Sequence, residues 1–428
     1  MEIYFETYGC TANINSSEIM KGLVKQAGLN ITLNPDFADL IVLNSCIVKS
    51  STQEKIRRRI QDLLKQGKRI LLAGCMPRLN KEKLQHENLY LLDTSQVKNL
   101  INLIKDIKDN DYDSERYLFH RNEIKAGLPK ISNEKIIGIT QISEGCLGKC
   151  TYCIVRLAKG KLFSYPQEKI IESIKRDINA GAKEIWITSQ DNASYGNEEG
   201  KYLLPDLLKN ILKIKGNFII RIGMMNPNNV LKILPELIDI YKNSKIFKFL
   251  HLPIQSGSDK VLKDMKREYK INDALKIIKE FKKQIPEITI ATDIIVGYPT
   301  ETEKDFKKTL EIIKEINPEI LNRSNFAPRP KTPAEKLKQI NPEIMRARSK
   351  KLMNLHLQIC KKNQKNWIGN EIKVLVDKKG WDNTWLGRTE NYKLAVVLSD
   401  KNILGKFIKV KVIKINPHYL ICKPKKNI

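Results

Sequence analysis

Three of the eight cysteines lie close together in the chain, within residues 145–153. Cys146, Cys150 and Cys153 follow the spacing CxxxCxxC, which lets three thiolates converge in one tight loop. Cysteine thiolates are the usual ligands of iron–sulfur clusters. Three of them would ligate three irons of a [4Fe–4S] cluster, and the fourth iron would stay open to chelate S-adenosylmethionine. A structural zinc site is the alternative, but such sites normally have four protein ligands, and no second CxxC pair or nearby His follows Cys153.

A second set of three cysteines is dispersed over the first 75 residues. Cys10, Cys46 and Cys75 each follow a predicted strand by two or three residues. These predicted strands cover residues 2–8, 39–43 and 69–73. Because parallel strands end at the same edge of a sheet, the three thiols are expected to converge. The sequence therefore predicts a second three-cysteine iron–sulfur site with one open iron. The alternative is three buried structural thiols, since a free cysteine packs as a small hydrophobe.

The composition indicates a reducing compartment and a folded chain. Clustered cysteines in a cytosol bind metal or do chemistry more often than they form disulfides. The 428 residues are 41% hydrophobic, which excludes a largely disordered chain. The sequence contains no run of about 18 apolar residues, so no membrane-spanning helix is predicted. The first residues lack the pattern of a signal peptide. We therefore predict a cytoplasmic location. Cys360 and Cys422 show no pattern and are interpreted as packing residues.

The predicted elements divide most of the chain into two α/β regions with a connecting segment. Residues 1–110 alternate short apolar runs with helical patterns at residues 13–27 and 50–66, which indicates βαβ units around a parallel sheet. Residues 111–135 are polar without a clear period and are interpreted as a linker. Residues 136–365 repeat the alternation about six times, which predicts a barrel-like or open parallel sheet. The six predicted strands cover residues 136–142, 184–189, 218–224, 247–253, 288–296 and 320–326.

The last region, residues 366–428, differs in pattern and in charge. Its short β-branched runs, separated by turn residues, predict a small all-β barrel. It has 13 basic and 5 acidic residues, whereas the whole chain has 76 and 48 and a net charge of +28. This surplus indicates a polyanionic partner, most often nucleic acid. Two alternatives remain open, a lysine-rich background for the whole chain and a solvated basic tail for residues 423–426.

Taken together, these features resemble the radical S-adenosylmethionine methylthiotransferase family over nearly the whole chain. The motifs are most similar to those of the archaeal and eukaryotic branch, which modifies N6-threonylcarbamoyladenosine in tRNA. Besides the CxxxCxxC loop, the matching motifs are Gly160-Lys161-Leu162, Ser164-Tyr165-Pro166, His251-Leu252-Pro253-Ile254-Gln255-Ser256, Met265-Lys266-Arg267-Glu268-Tyr269, Ala291-Thr292-Asp293-Ile294-Ile295 and Pro328-Arg329-Pro330. One departure is Lys159, where that branch usually has Arg, so that a bidentate contact would be lost while the charge is kept.

The resemblance implies an α/β fold with a flavodoxin-like N-terminal domain, a partial (β/α)6 radical barrel and a small all-β C-terminal TRAM domain. It implies two [4Fe–4S] clusters, one on each set of three cysteines, and S-adenosylmethionine. The first cluster would generate a 5′-deoxyadenosyl radical that removes the C2 hydrogen of the adenine next to the anticodon. The second would supply a methylated sulfur and give 2-methylthio-N6-threonylcarbamoyladenosine. The implied partners are the anticodon arm of tRNA, a low-potential electron donor and a sulfur donor. The sequence indicates neither an oligomer nor a membrane.

Seven further residues are candidate contacts of S-adenosylmethionine, because they lie in the cluster loop or on or just after predicted barrel strands. They are Tyr152, Thr188, Gln190, Asp191, Arg221, Gln255 and Asp293. Each could instead be a barrel polar residue that its neighbours satisfy.

Basic and aromatic residues outside the barrel are weaker candidates for RNA contact. Residues 57–59, three arginines, are interpreted first as a solvated helix face and second as a phosphate contact. Trp367, Trp381 and Trp385 are each predicted to be core residues rather than base-stacking residues. Residues 385–389 are a candidate exposed turn that faces RNA.

Three alternative functions remain from the sequence. Two keep the chemistry and change the substrate, to isopentenyladenosine in tRNA or to an aspartate of a ribosomal protein. The basic C-terminal region argues against the protein substrate. The third is a non-catalytic RNA-binding protein with structural metal sites, which would bind zinc and would not cleave S-adenosylmethionine.

Overall fold

The computed structural model describes residues 1–425, and its first unit is a five-stranded parallel sheet with strand order β2-β1-β3-β4-β5. The elements of this unit are β1 (Glu2–Thr7), α1 (Thr11–Gln26), β2 (Asn30–Ile31), β3 (Leu40–Ser45), α2 (Ser50–Lys65), β4 (Ile70–Gly74), α3 (Pro77–Asn80), β5 (Leu89–Asp93) and α4 (Leu100–Lys108). The strand order 2-1-3-4-5 is that of flavodoxin-like sheets. The predicted fold of this region is therefore confirmed.

Helices cover both faces of this sheet, and its central strands are consequently buried along their whole length. Every residue of β3 and β4 is buried. On one face Val42 packs in a cluster with Ile19 of α1, and on the other Ile41 packs in a cluster with Ile56 and Ile60 of α2. This packing holds the carboxyl ends of β1, β3 and β4 at one edge, where the dispersed cysteines lie.

The middle of the chain forms six parallel strands in the order β6-β9-β10 and β11-β12-β13, flanked by helices. Its elements, after the short helix α5 (Glu115–Leu118), are β6 (Ile137–Gln141), β7 (Ser143–Glu144), α6 (Val155–Lys159), β8 (Phe163–Ser164), α7 (Gln167–Asn179), β9 (Glu184–Thr188), α8 (Leu204–Leu212), β10 (Ile219–Ile222), α9 (Pro227–Val230), α10 (Leu234–Tyr241), β11 (Phe249–His251), α11 (Asp259–Asp264), α12 (Ile271–Gln284), β12 (Thr289–Val296), α13 (Glu303–Ile316), β13 (Ile320–Asn325) and α14 (Pro342–Gln364). A bridge between Ile220 and Ile246 connects the two halves. The arrangement is the predicted partial (β/α)6 barrel, and the two-residue strands β7 and β8 pair antiparallel beside it.

The C-terminal unit is a closed five-stranded barrel with strand order β14-β15-β16-β18-β17. Its strands are β14 (Glu371–Lys379), β15 (Thr384–Thr389), β16 (Leu394–Leu398), β17 (Phe407–Asn416) and β18 (Tyr419–Pro424). Inward-facing residues alternate with exposed ones along β17, as expected when one face of a strand fills a barrel. The predicted all-β fold is confirmed.

The three units pack against one another. Leu375 and Tyr392 of the C-terminal barrel form one apolar cluster with Phe247 and Phe249, so this barrel covers the amino-terminal end of the partial barrel. In the segment predicted as a linker, residues 111–135, α5 is buried at Tyr117 and Leu118. The domain boundaries drawn from the sequence stay predictions.

Two predictions about the C-terminal unit are wrong. Trp381 is 82% exposed in the hairpin between β14 and β15, because the barrel closes without it. Residues 385–389 form most of β15 rather than an exposed turn, and Trp385 is buried in the barrel core. Lys423 lies in β18 and Lys425 pairs with Glu371 at 2.6 Å. Lys426, the end of the predicted basic tail, lies outside the described residues.

Candidate functional site

The loop that carries Cys146, Cys150 and Cys153 follows β7 at the carboxyl end of the barrel. Gly145 begins this loop with φ of +83°, and a Cβ there would lie 1.9 Å from the carbonyl oxygen of Lys161. Only glycine fits this close approach at positive φ. The backbone N–H of Gly148 then donates to Cys146 Sγ at 3.3 Å. A Cβ on Gly148 would lie 3.3 Å from Cys146 Sγ and 3.7 Å from Cys150 Sγ, so the backbone brings these two thiols close together.

Arg267 ties this loop to the far side of the barrel mouth. Its Nη1 donates to Cys150 Sγ at 3.4 Å, and its Nη2 donates to the side chain of Asn226. The guanidinium also lies over the ring of Tyr269, 5.1 Å from the centroid. The guanidinium thus places a positive charge beside one of the sulfurs that would ligate iron.

A cavity of about 310 Å³ opens beside these thiols. Its lining includes Cys146, Cys150, Asp191, Asn226 and Arg267. Amide, carboxylate, guanidinium and thiol groups therefore line one space beyond the carboxyl ends of β9 and β10. Such a mixed polar lining can hold a zwitterionic ligand such as an amino acid, and S-adenosylmethionine has that head group.

Asp191 is the most heavily hydrogen-bonded of the predicted contact residues. Its carboxylate accepts from the backbone N–H of Asn226 at 3.0 Å, from Asn226 Nδ2 at 2.8 Å and from Asn229 Nδ2 at 2.7 Å. Burial nonetheless raises the pKa of Asp191. Asp191 thus lies in the cavity wall. Most of the hydrogen bonds that its carboxylate accepts hold Asn226 and Asn229 in place.

Gln190, Thr188 and Tyr152 surround the loop without lining the cavity. Gln190 Oε1 accepts from the N–H of Gly145 at 2.8 Å, so it positions the cysteine loop. The carbonyl oxygen of Thr188 accepts from Ile142, and Tyr152 packs against an apolar cluster that contains Met265.

The other three predicted contacts lie elsewhere in the barrel. Arg221 lies over the rings of Trp186, Phe249 and Tyr392 at 5.0–5.3 Å, on the side that the C-terminal barrel covers. Gln255 has φ of +72°, and its N–H donates to the carbonyl oxygen of Asp293.

Asp293 forms a pair with His251 at the barrel mouth. The carboxylate lies 3.0 Å from His251 Nε2 and accepts from Asn322 Nδ2 at 2.7 Å. Burial opposes ionisation, but these hydrogen bonds and the His251 charge lower the pKa of Asp293. The roles of all seven predicted contacts stay predictions.

Cys10, Cys46 and Cys75 converge at the edge of the N-terminal sheet, as predicted from the strand ends. Asn13 lies among them, with its Oδ1 3.8 Å from Cys10 Sγ and 4.0 Å from Cys75 Sγ. Its Nδ2 donates to the carbonyl oxygens of Tyr8 and Ser45 and so holds two of the cysteine-bearing turns together. A Cβ on Gly9, whose φ is +107°, would lie 2.9 Å from Cys46 Sγ.

Burial raises the pKa of most of these thiols, so a nearby cation is needed to stabilise their thiolate forms. It raises the pKa of Cys75 to about 12 and also raises the pKa of Cys46. In the barrel loop it raises the pKa of Cys146 to about 11 and that of Cys153 to about 12. Among the described residues, no three His, Cys, Asp or Glu side chains are grouped as ligands of a single metal ion. Cys46 and Cys75 are buried, Cys146, Cys150 and Cys153 are half-buried, and Cys10 is exposed. Both sets lie in glycine-containing turns and fit a bulky cationic iron–sulfur core, which would supply the charge that the thiolates need.

Three buried charged side chains connect the two cysteine sets. Glu144, two residues before Cys146, accepts from Lys125 at 2.8 Å and from Lys159 at 2.8 Å. Burial opposes its charge, but the two lysines lower the pKa of Glu144 to about 2. Burial likewise opposes the charge of Lys159, but Glu144 and the sulfurs of Cys75 and Cys10 raise its pKa. The family departure at Lys159 therefore lies beside the second cysteine set.

Sequence reasoning missed several residues that build these sites, namely Asn13, Lys125, Glu144, Asn226, Asn229 and Arg267. Only Arg267 stood in a stretch already singled out by its resemblance. Polar residues buried between regions that are distant in sequence leave no periodic signal, so the others required the tertiary structure. The three arginines at 57–59 lie on α2 as predicted, with Arg57 and Arg58 exposed, and Arg59 forms a 2.7 Å ion pair with Glu6.

Family models match three separate parts of the chain. A model of the radical SAM superfamily matches residues 140–313, a model of the uncharacterized protein family UPF0004 matches residues 2–92, and a TRAM domain model matches residues 366–424. The radical SAM match contains the CxxxCxxC loop, and the UPF0004 match contains the dispersed cysteines.

Two relatives that match this chain over nearly its whole length are named for the same enzyme. The probable threonylcarbamoyladenosine tRNA methylthiotransferase of Archaeoglobus fulgidus is 38% identical over 98% of both chains. The threonylcarbamoyladenosine tRNA methylthiotransferase of Xenopus laevis is 34% identical over 99% of this chain and 77% of its own. The chain belongs to this methylthiotransferase family. The resemblance read from the motifs is thus confirmed, and the chain is a radical S-adenosylmethionine enzyme, which implies S-adenosylmethionine and a [4Fe–4S] cluster.

Solved structures share the fold at low identity. The radical S-adenosylmethionine methyltransferase TsrM from Kitasatospora setae has a TM-score of 0.57 and 12% identity over 78% of this chain and 75% of its own. The cobalamin-dependent radical enzyme OxsB has a TM-score of 0.54 and 12% identity over 84% of this chain and 56% of its own. Within residues 1–425, no helix is both long and apolar enough to cross a membrane; the cytoplasmic location stays a prediction.

Proposed function

We propose that this enzyme methylthiolates C2 of N6-threonylcarbamoyladenosine next to the anticodon of tRNA. The observation that carries the proposal is the pair of three-cysteine sites in one chain, each at the carboxyl edge of its own parallel sheet. The full-length relatives named for this reaction support the substrate. Cys146, Cys150 and Cys153 would hold the cluster that activates S-adenosylmethionine, and Cys10, Cys46 and Cys75 would hold a second [4Fe–4S] cluster.

Each set of side chains has a part in this proposal. The clusters and S-adenosylmethionine supply radical and sulfur chemistry that no side chain can perform. Gln190 and Arg267 orient the barrel loop, and Asp191 with its two asparagines shapes the cavity for the methionine head group. A low-potential electron donor and a sulfur donor are further proposed partners, because the chemistry consumes electrons and sulfur.

The C-terminal barrel is the proposed tRNA-binding unit. Its strands carry a surplus of lysines, and Trp381 stands exposed beside Lys378 and Lys379 in one hairpin. Cations neutralise phosphates, and an exposed aromatic ring can stack on an unpaired base.

Nucleoside mass analysis tests the substrate. We expect tRNA from cells that lack the protein to lose 2-methylthio-N6-threonylcarbamoyladenosine while its precursor accumulates. Complementation with the parent chain should restore the product, and complementation with Cys146→Ala or Cys75→Ala should not. Cys360→Ala is the matched control, since Cys360 is buried beside His356 away from both sites.

The alternatives predict other outcomes of the same experiment. A methylthio group on isopentenyladenosine, or on a ribosomal protein with none on tRNA, would contradict the proposed substrate. A colourless, zinc-containing protein would contradict the chemistry. We expect anaerobically reconstituted protein to bind about eight irons per chain, and the triple alanine variant of either cysteine set to bind about four.

A further inference from the structure

A buried arginine lies at the second cysteine site without an acidic partner. Arg329, in the loop after β13, is 5% exposed. Its Nη1 donates to Ser50 Oγ at 2.9 Å and its Nη2 donates to the side chain of Gln53, both on α2 of the N-terminal unit. Its Nε is buried and has no hydrogen-bond partner. In the described part of the chain, no carboxylate oxygen lies within 4.0 Å of its guanidinium.

This arrangement is unfavourable unless an anion completes it. An arginine keeps its charge in proteins, so a buried one cannot escape the desolvation cost by losing a proton. Ser50, which accepts from Arg329, is the first residue of α2 and follows Cys46 by four residues. The Cys46 sulfur attracts the guanidinium, and Arg57 repels it. An anionic group held by the three cysteines would compensate the charge of the guanidinium.

The opposite side of the same site is also cationic. Lys159 lies near the sulfurs of Cys75 and Cys10, and it shares the single carboxylate of Glu144 with Lys125. Buried Glu123 also interacts with the charge of Lys125, so Lys159 is the lysine of this cluster that faces the cysteines. Buried cations from the barrel region thus flank the three N-terminal cysteines on two sides.

We propose that Arg329 is a positioning residue that supplies the counter-charge for an anionic iron–sulfur cluster held by Cys10, Cys46 and Cys75. Three thiolates on a doubly charged cluster core leave a net negative charge, which matches the sign of the site. The barrel region therefore completes a site whose ligands all belong to the N-terminal sheet. This inference rests on the second cluster of the proposed function.

Redox titration of the reconstituted full-length enzyme tests this role. Arg329→Gln should lower the midpoint potential of the second cluster, because removal of a nearby cation disfavours the more negative reduced state. It should also speed the loss of that cluster's iron to a chelator several-fold, and Arg329→Lys should retain most of both properties. Arg57→Gln is the matched control, since it removes the same charge from an exposed neighbour. The Cys146→Ala, Cys150→Ala, Cys153→Ala variant assigns the signal to the second cluster.

A variant that keeps the contact and cancels the charge separates this role from a structural one. Gln53→Glu would give Arg329 an acidic partner at its present hydrogen bond. We expect the cluster-free chain to unfold at higher denaturant concentration, and the loaded cluster to shift to lower potential. Arg329→Gln should not weaken the cluster-free chain, because it removes an uncompensated charge.

Two results would overturn the inference. If Arg329→Gln lowers the stability of the cluster-free and the loaded chain equally and leaves the potential unchanged, Arg329 is only a clasp between the units. If the parent chain binds about four irons and loses none of them in the Cys10→Ala, Cys46→Ala, Cys75→Ala variant, the second cluster of the proposed function fails as well. If the parent chain binds about eight irons and Arg329→Gln leaves the midpoint potential unchanged, only the proposed role of Arg329 fails.

Discussion

At the residue scale, a buried cluster of opposite charges lies between the two cysteine sites. Lys125 and Lys159 are 0% and 3% exposed in their side chains, and Glu144 is their common partner. Such pairs bring little net stability when intact, but loss of one partner leaves a bare charge in the interior. Arg267, which is half-buried at the barrel loop, donates instead to two uncharged groups, the Cys150 sulfur and the Asn226 side chain.

Glu144→Gln is expected to destabilise the enzyme by about 3–5 kcal/mol, because it leaves two buried lysines without a counter-ion. The folded state lowers the pKa of Glu144 from 4.5 to about 2. Its contribution to stability is therefore present above about pH 4.5 and lost as the pH falls through about 2. Urea unfolding at pH 7 measures the first effect. Glu168→Gln, on the exposed face of α7, should change the free energy of unfolding by less than about 0.5 kcal/mol; an equal effect of the two variants would contradict this account.

At the element scale, loops after parallel strands carry the thiols, and the strands only position them. Cys46 and Cys75 directly follow β3 and β4, so the edge of the sheet brings them together whatever the intervening helices contain. The short ribbon of β7 and β8 does the same for the barrel loop by holding Gly145 against Lys161.

Asp377 lies at the interface between the C-terminal barrel and the partial barrel, where its carboxyl group is difficult to ionise. Burial and the charge of Glu184 raise the pKa of Asp377 from 3.8 to about 7, and Arg388 at 3.7 Å offsets this only in part. Because the folded state binds the proton more tightly, the stability that Asp377 contributes is present below about pH 3.8 and lost as the pH rises through about 7.

Asp377→Asn should therefore stabilise the chain at pH 8 by about 2–4 kcal/mol and flatten the decline of melting temperature between pH 6 and pH 8. Thermal unfolding at several pH values measures this. Asp400→Asn, at an exposed position of the same barrel, should leave the profile unchanged. A lower melting temperature of Asp377→Asn at pH 8 would show that the pair with Arg388 dominates instead.

At the scale of the whole molecule, the net charge of +28 and the packing of the three units decide how tRNA binding can be measured. Deletion of residues 366–428 would uncover the apolar cluster of Phe247, Phe249, Ile219 and Ala291 that the C-terminal barrel covers. Such a truncated chain would lose stability and tRNA affinity together, so point variants are the cleaner test.

Trp381→Ala should weaken tRNA binding by about 1–3 kcal/mol, the value of one stacked base, and leave the free energy of unfolding unchanged because the side chain is 82% exposed. The dependence of affinity on salt should also stay the same, since no charge is removed. Filter binding at several salt concentrations measures both. Ile368→Ala, an exposed apolar residue of the same region, is the control. Unchanged affinity would mean that the hairpin does not face the tRNA.

The sequence by itself determined the chemistry of this protein and the types of its three units. The CxxxCxxC spacing places Cys146, Cys150 and Cys153 in one loop, and parallel strand ends bring Cys10, Cys46 and Cys75 to one edge, because both follow from local backbone geometry. The exposed position of Trp381 was beyond sequence reasoning, since barrel closure decides which aromatic ring is buried.

Only the tertiary structure decided which side chains from distant segments complete the sites. Arg329 meets α2 across 276 residues of chain from Gln53, and Lys159 reaches the N-terminal cysteines from the barrel. Burial of a charge and the presence or absence of its partner depend on how whole units pack. Neither the periodicity of the sequence nor the spacing of its residues predicts that packing. The packing of the units decides which charged side chains lie beside each set of cysteines.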